Sequence, residues 1–239
     1  KNMDTLYLIM PAYNEEVNIE KVIDDWYPVV EKTGENSRFV VVDDGSKDST
    51  YEIMKRAAGE RPQLIPLTKA NKGHGATVLY GYYYALEQGA DYVFQTDSDG
   101  QTNPEEFWEF WKQREQYDML IGHRCHREDG ASRVFVTKVL KLVIRLCFGV
   151  SVTDANTPFR LMKAETLREQ IGQIPEDFNL SNVLLSVIYA KKRLKVRYLP
   201  ISFRQRQGGV NSINLRRIAG IGWQAVKDFR SINRALKKG

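Results

Sequence analysis

The sequence of 239 residues contains only two cysteines and three histidines. Neither Cys125 nor Cys147 belongs to a CxxC pair or to a Cys/His ligand pattern, which argues against a disulfide framework and a zinc site. We therefore expect a reducing, cytoplasmic setting. The histidines have no metal-ligand spacing, and no Ser–His–Asp or Cys–His arrangement indicates nucleophilic catalysis.

The sequence also lacks a long apolar run that is free of charge. Its most apolar stretch, residues 132–152, is interrupted by Lys138, Lys141 and Arg145. This pattern makes a poor membrane span and predicts a packed or interfacial amphipathic helix. The apolar segment 6–12 lacks the basic lead and the cleavage site of a signal peptide. Since no repeat or flexible linker is evident, we expect one domain with a C-terminal appendage.

Acidic residues are nearly absent from the C-terminal part. From Lys191 onward 14 Lys and Arg stand against one acid, Asp228, a net charge of +13, whereas the other 190 residues carry −8. This asymmetry predicts an anionic partner: nucleic acid, anionic lipid headgroups or a pyrophosphate. We do not expect nucleic acid, because the aromatic residues of this part lie mostly on an apolar stripe and not among the basic groups.

The composition is otherwise ordinary, 42% hydrophobic and 27% charged, and apolar strands alternate with helices. The patterns predict strands at 5–12, 38–46, 63–67, 90–96 and 117–124, an extended segment at 194–206, and helices at 13–30, 46–58, 71–86, 104–114, 132–152, 178–190 and 215–238. This order predicts an α/β fold with a mostly parallel sheet covered by helices on both faces. Ligands bind at the carboxyl ends of such strands, where polar clusters occur at 11–16, 43–46, 97–101 and 122–124.

The cluster FQTDSDGQ (94–101) begins in the last residues of the strand predicted at 90–96. Its carboxylates, Asp97 and Asp99, can face one hard cation, Mg²⁺ or Mn²⁺, and Gln101 can add an amide oxygen. Such a metal would neutralise a diphosphate leaving group. Taken alone, the pattern also fits a turn followed by a helix cap, because Asp and Gly favour turns.

Two more clusters allow both a functional and a structural interpretation. In VVVDDGSKDST, Asp44 is a candidate acceptor for a base N–H or a ribose hydroxyl, with Val42 as a backbone contact; the alternative is an Asp-Gly turn and a helix cap. In PAYNEE, Tyr13 is a candidate for stacking on a base and Glu15 for binding ribose hydroxyls; the alternative is a strand-to-helix turn.

The fourth cluster, NKGHGATVLYG, is a glycine-rich helix start. It matches neither the Walker P-loop nor G-x-G-x-x-G. Lys72 and the helix N-terminus are candidates for attracting an anion. We interpret His74 as a structural hydrogen-bonding residue rather than a catalyst.

Along the chain the four clusters come in the order PAYNEE, VVVDDGSKDST, NKGHGATVLYG and FQTDSDGQ. In that order they resemble the sugar-nucleotide half of family 2 glycosyltransferases, which have the GT-A fold. Three later blocks, GHR (122–124), DANTPFRL (154–161) and FRQRQGGVNSIN (203–214), resemble the dolichyl- or polyprenyl-phosphate sugar synthase branch. The resemblance covers about residues 5–215. It implies a GT-A domain at 1–214, with a nucleotide-sugar half at about 1–125 and an acceptor half at about 126–214, followed by a basic amphipathic helix at 215–239.

The resemblance also implies a role for each matching residue. The nucleotide would be held by Pro11, Tyr13, Glu15, Val42 and Asp44. The donor site would contain Asp97, Ser98, Asp99 and Gln101, with Asp97, Asp99 and Gln101 as ligands of Mg²⁺ or Mn²⁺. Arg124 and Arg206 would contact phosphates, Arg206 in a bidentate geometry that Lys cannot reproduce.

Asp154 and Arg160 would shape the acceptor side, and the candidate catalytic residues are Asp99, Asp154 and Arg206. Three departures from the family pattern leave the acceptor open. His123 stands where Ser is common, Thr157-Pro158-Phe159 replaces Ser-Gly-Phe, and Asn211-Ser212 replaces Ser-Lys.

The implied function is inverting transfer of a sugar from a UDP- or GDP-sugar to a polyprenyl phosphate or a similar lipid-linked acceptor. The chain would work at the inner face of an anionic membrane, with no nucleic-acid partner and in an oligomeric state that the sequence does not predict. We found neither the mid-chain Glu-Asp nor the Q-x-x-R-W block of processive relatives, and an ionised phosphate acceptor needs no general base. The alternatives are a hydroxyl acceptor on a cell-surface polysaccharide or lipopolysaccharide precursor, with Asp154 as base, and a nucleotide-sugar-binding protein without catalysis.

Overall fold

A computed structural model describes residues 4–124 and 131–204, including their side chains apart from those of residues 124 and 131–137. The strands are β1 (Leu6–Ala12), β2 (Arg38–Asp43), β3 (Leu64–Thr68), β4 (Tyr92–Gln95), β5 (Met119–Arg124), β6 (Arg160–Lys163) and β7 (Val196–Ile201). The helices are α1 (Ile19–Thr33), α2 (Thr50–Glu60), α3 (His74–Glu87), α4 (Phe107–Gln113), α5 (Ala131–Phe148), α6 (Ala164–Ile171) and α7 (Ser181–Lys191). A 3₁₀ turn, Pro104–Glu106, leads into α4.

The strands form one sheet in the order β3-β2-β1-β4-β6-β5-β7. Strand β6 runs antiparallel to its two neighbours, β4 and β5, and the other pairings are parallel. This confirms the predicted α/β class with a mostly parallel sheet. Because β6 is reversed, its first residue, Arg160, lies opposite Gln95 at the carboxyl end of β4.

Both faces of the sheet are covered, and alternate residues of each strand supply two cores. Tyr7 and Ile9 of β1 belong to the core that the sheet forms with α3, α5, α6 and α7. Leu6, Leu8 and Met10 belong to the core with α1, α2 and α4. All seven residues of β1 are therefore buried, which explains why the strand reads as an unbroken apolar run.

The structure corrects the predicted starts of several helices. Helix α1 begins at Ile19 and not at 13, α4 begins at Phe107 and not at 104, and α7 begins at Ser181 and not at 178. Helix α2 begins at Thr50 and not at 46, because the Asp48 carboxylate accepts a hydrogen bond from the Thr50 N–H at 3.0 Å. Helix α3 begins at His74 and not at 71, because Gly73 has a left-handed backbone with φ 93°. Helix α6 was not predicted. The helix predicted at 215–238 lies outside the described residues.

The apolar stretch at 132–152 forms α5, which ends at Phe148 and is followed by Gly149 with φ 72°. Of the helices that the structure describes, none is both long enough and apolar enough to span a bilayer.

Candidate active site

A cavity of ≈ 400 Å³ opens at the carboxyl ends of β1, β2 and β4, beside the first turn of α3. All four sequence clusters meet there, the three that end strands together with the glycine-rich helix start, as expected for strand ends at one edge of a parallel sheet. The cavity is lined by Pro11, Ala12, Tyr13, Glu15, Asp44, Asn71, Gly73, His74, Thr77, Asp97, Ser98 and Asp99.

The loops after β1 and β2 are joined by hydrogen bonds that involve side chains of both clusters. The Asn14 N–H donates to Ser46 Oγ at 2.9 Å, and Asn14 Oδ1 accepts from the Lys47 N–H at 2.9 Å. The Glu15 N–H donates to Thr50 Oγ1 at 2.9 Å. Asn14 has φ 53°, a conformation that Asn tolerates better than most residues. These contacts hold Tyr13 and Glu15 at the cavity wall.

Asp44 is nearly buried, and it binds the loop that precedes α3. Its carboxylate accepts from Lys69 Nζ at 2.5 Å, from the Lys72 N–H at 3.0 Å and from the Gly73 N–H at 2.9 Å. Burial by itself would raise the pKa of Asp44, but the hydrogen bonds from Lys69, Lys72 and Thr77 outweigh it and lower that pKa. The carboxylate is therefore an anion that organises the loop between β3 and α3 as well as lining the cavity.

Asp97 and Asp99 line the same cavity with Ser98, directly after β4. Within residues 4–124 and 131–204, no group of three or more His, Cys, Asp or Glu side chains could hold a metal ion. Two carboxylates do suit Mg²⁺ or Mn²⁺, because such cations often bind one or two carboxylates and take their other ligands from phosphates and water. The oxygen donors present thus fit a divalent cation that arrives with a diphosphate.

His74 contacts the carboxylate of Asp97, which the sequence did not reveal. Its Nε2 lies 2.9 Å from Asp97 Oδ1, and its side chain is 51% exposed. Partial burial lowers the pKa of His74, but the charges of Asp97, Asp44 and Asp99 more than offset this, and the pKa lies above its ordinary value. The interpretation of His74 as a hydrogen-bonding residue is confirmed, with a partner in the candidate site.

The glycine-rich segment NKGHGAT also supplies Asn71, Gly73 and Thr77 of the cavity wall, residues that sequence reasoning did not select. A Cβ on Gly75 would lie 2.3 Å from the Phe178 carbonyl oxygen, which shows how closely the segment before α7 approaches. Lys72, predicted to attract an anion, instead has its Nζ 3.1 Å from Asp177 Oδ1 at the surface. Only the two glycines gave a sequence signal for such close packing.

Several predicted site residues do not line this cavity. Val42 is a buried core residue of β2. Gln101 donates its side-chain amide to the Arg204 carbonyl at 3.2 Å. Asp154 lies on the loop between α5 and β6. Arg124 ends β5 with its side chain outside the description, and Arg206 lies beyond the described residues. The roles of these residues stay predictions.

Arg160 is completely buried and does not line the cavity. Its guanidinium donates to the carbonyls of Ala155, Thr157 and Asn182 at 2.7–3.1 Å, and to Ser186 Oγ at 3.3 Å. Burial lowers its pKa below the ordinary value. Arg160 therefore connects the loop before β6 to α7 from inside the protein.

A model of the glycosyl transferase family 2 matches residues 7–170, which include every residue that lines the cavity. The chain belongs to this family. The match explains why the four clusters occur in this order at the ends of the strands, and it confirms the resemblance drawn from the sequence.

Within the family, the chain is similar in sequence to transferases that are named for undecaprenyl phosphate. It is 27% identical to an undecaprenyl-phosphate mannosyltransferase of Micrococcus luteus, over 91% of this chain and 89% of that protein. It is 25% identical to an undecaprenyl-phosphate 4-deoxy-4-formamido-L-arabinose transferase of Shewanella sediminis, over 72% of this chain. The matched part spans about half of that second protein, 52% of its length.

The fold also matches solved structures. Glucosyl-3-phosphoglycerate synthase of Mycobacterium tuberculosis superposes with a TM-score of 0.68 at 19% identity, over 96% of this chain and 80% of that one. That protein has also been solved with Mn²⁺ and UDP-glucose. At this identity the likeness establishes the fold and no more.

Proposed function

We propose that this family member transfers a sugar, with inversion, from a nucleoside diphosphate sugar to a polyprenyl phosphate. The observation that carries the proposal is the cavity itself, which Asp97 and Asp99 line together with Tyr13, Glu15 and Asp44 at the carboxyl edge of the sheet. The similarity to an undecaprenyl-phosphate mannosyltransferase over 91% of the chain supports the choice of acceptor.

The donor would lie along the cavity. Tyr13 would stack on the base, and Glu15 and Asp44 would accept hydrogen bonds from the base and ribose. Asp97 and Asp99 would hold Mg²⁺ or Mn²⁺, a metal class that the M. tuberculosis neighbour binds together with UDP-glucose. When bound, the cation acts as a Lewis acid on the diphosphate leaving group.

In the reaction, an acceptor oxygen forms a bond to the anomeric carbon while the bond from that carbon to the diphosphate oxygen breaks. The electron pair of the broken bond stays on the diphosphate, whose charge Arg124 and Arg206 would help to neutralise. A phosphate acceptor is already ionised and needs no general base. With a hydroxyl acceptor, Asp154 would be the base to test.

Helix α5 has an exposed face that suits contact with the membrane in which a lipid acceptor lies. Val139, Leu142 and Leu146 are 40%, 56% and 76% exposed, whereas Ile144 and Phe148 of the same helix are buried. The exposed apolar residues alternate with basic ones, Lys138, Lys141 and Arg145. We infer that this face, the α5 surface, rests on an anionic membrane, because apolar burial and attraction to anionic lipids act together there.

Donor and metal are tested by thermal shift with UDP- and GDP-sugars, in Mn²⁺ and in chelator. At a concentration about 100 times Kd, a ligand adds about 2.7 kcal/mol to the free energy of unfolding. We expect a shift that needs metal, and its loss in Asp97→Asn and Asp99→Asn. Asp25→Asn is the control, because Asp25 pairs with Lys21 on the exposed face of α1. If no sugar nucleotide gives a metal-dependent shift, the function is refuted.

The acceptor is tested by mixing the shifting donor with polyprenyl phosphate or with the matching polyprenol. Transfer to the phosphate and not to the alcohol is the expected result. Transfer only to hydroxyl acceptors, abolished by Asp154→Asn, would replace the proposed acceptor with the alternative one.

Membrane contact is tested by liposome flotation with vesicles that contain or lack phosphatidylglycerol. Leu146→Glu should reduce flotation with anionic vesicles, because it removes apolar burial and adds a repelled charge. Val17→Glu also replaces an exposed apolar side chain with an acid, but Val17, 86% exposed, lies on the loop between β1 and α1. This variant should float like the wild type. Equal flotation of both variants would refute contact through the α5 surface.

A further inference from the structure

His74 lines the cavity and makes a hydrogen bond to Asp97 that the sequence clusters did not predict. Its Nε2 lies 2.9 Å from Asp97 Oδ1, and the two residues are 23 positions apart in the sequence. Asp97 immediately follows the loop residue Thr96 at the end of β4, whereas His74 is the first residue of α3. The contact thus joins the glycine-rich helix start to the carboxylates of the donor site.

The backbone that presents His74 is held from the side of β2. The two residues just before His74 donate main-chain hydrogen bonds to the two oxygens of Asp44. The Lys72 N–H does so at 3.0 Å and the Gly73 N–H at 2.9 Å. Gly73 has φ 93°, and the Thr77 hydroxyl donates to its carbonyl at 2.9 Å. The turn before His74 is therefore fixed by contacts that do not involve His74 itself.

The same backbone is held from the side of α7. The Ser181 hydroxyl donates to the Gly75 carbonyl at 3.1 Å. A Cβ on Gly75 would lie 2.3 Å from the Phe178 carbonyl oxygen, and one on Gly73 would lie 2.7 Å from Asn179 Oδ1. The imidazole consequently has little freedom to leave Asp97 by a movement of its main chain.

We propose that His74 is a positioning residue, which holds Oδ1 of Asp97 by an Nε2–H hydrogen bond and so directs Oδ2 toward the cation that accompanies the donor diphosphate. The Nε2–H is present in the imidazolium and in one neutral tautomer, so the role does not require a particular charge on His74. Hydrogen-bond partners of ligating carboxylates orient them, and removing such a partner typically weakens metal affinity or activity by about 10- to 100-fold.

This inference rests on the proposed function, because it presumes that Asp97 binds the cation. It is tested on the full chain by Mn²⁺ titration in the presence of UDP, with the free ion followed by its electron paramagnetic resonance signal. The variants are His74→Ala, which removes the donor, and His74→Gln, whose amide N–H can replace it. Tyr80→Phe is the control, since Tyr80 lies on α3 outside the cavity and is 43% exposed.

We expect His74→Ala to bind Mn²⁺ about 10- to 100-fold more weakly, with His74→Gln closer to the wild type and Tyr80→Phe equal to it. The affinity for UDP, measured in chelator, should be the same in the wild type and the three variants. A variant that had lost its structure would bind UDP more weakly in chelator as well. Unchanged Mn²⁺ affinity in His74→Ala overturns the inference, as does an equal loss in His74→Gln, or a matching loss of UDP affinity in chelator. If the wild type binds Mn²⁺ neither with UDP nor, in the same titration, with GDP, the proposed function falls as well; if it binds both metal and nucleotide but transfers no sugar, only the proposed function falls.

Discussion

Asp44→Ala should destabilise the protein strongly even without any ligand. The Asp44 and Lys69 side chains are 5% and 12% exposed, and the substitution leaves the Lys69 ammonium without its carboxylate. Removing one partner of a buried ion pair costs about 3–5 kcal/mol. Lys69 retains the Ala70 carbonyl at 3.1 Å, so we expect the lower end, about 3 kcal/mol.

The backbone donors add little to this cost. The Lys72 N–H and Gly73 N–H lose their acceptor, but both residues are partly or fully exposed, and water can replace the carboxylate. For a chain of this length, about 1 kcal/mol corresponds to a shift in Tm of about 2–4 °C. The expected fall in Tm is therefore about 6–12 °C.

The assay is urea unfolding at neutral pH of four proteins: wild type, Asp44→Ala, Lys69→Met and the double variant. The double variant removes the Lys69 ammonium together with the Asp44 carboxylate. It should therefore be destabilised by at least about 1 kcal/mol less than the sum of the two single variants. An Asp44→Ala cost under about 1 kcal/mol, or additive single effects, would refute the assignment of this pair.

The pH dependence of stability supplies a second check on Asp44. Its pKa is lowered by folding, so its contribution is present above the unfolded pKa, about 3.9, and is lost as pH falls through the folded value. Wild type should therefore lose stability below about pH 4, and Asp44→Asn should lose less over the same interval. Parallel acid unfolding curves for the two proteins would contradict this reasoning.

Two further predictions concern packing. Gly75→Ala should lower the free energy of unfolding by about 1–3 kcal/mol, because the new methyl group would overlap main-chain atoms of the segment before α7. Gly59→Ala places its methyl group on α2, where it meets nothing within 4 Å, and should raise the free energy of unfolding by up to about 1 kcal/mol. Equal denaturation midpoints for the two variants would refute the close approach at Gly75. Arg160→Lys should cost at least about 2 kcal/mol, because one ammonium cannot reach all the carbonyls that the guanidinium satisfies. An unchanged urea midpoint would show that these contacts contribute nothing.

Much of the fold was predictable because it depends on local patterns. A strand that is covered on both faces is apolar along its buried part, so the strands predicted at 5–12 and 38–46 could be recognised from their short apolar runs, although β2 ends at Asp43 and not at 46. The polar clusters that follow such strands could also be expected to meet, since parallel strands end at the same edge. Tyr13, Glu15, Asp44, Asp97, Ser98 and Asp99 all line one cavity for this reason.

The helix starts and the individual partners were not predictable in the same way. Helix α3 begins later than predicted because Gly73 is left-handed and its N–H donates to Asp44, on the loop after β2. Helix α2 begins later because the Thr50 N–H donates to Asp48, whose other oxygen accepts from the Glu16 N–H on the loop after β1. Only the structure shows that the side-chain NH₂ of Gln101 donates to the Arg204 carbonyl, and its role as a metal ligand stays a prediction. Such contacts join residues far apart in the chain, and spacing carries no information about them.

The sequence by itself determined the α/β class, the strand-end clusters and the membership of the glycosyl transferase family 2 that they indicated, because these follow from local hydrophobic periodicity and motif order. Only the tertiary structure decided that β6 is reversed and brings a buried Arg160 to the carboxyl edge of the sheet. It also decided that Asp44 binds Lys69 and that His74 reaches Asp97. The physical reason is that a polar side chain takes whichever partner the packed backbone brings within hydrogen-bonding distance, and that choice is made only when distant segments are packed together.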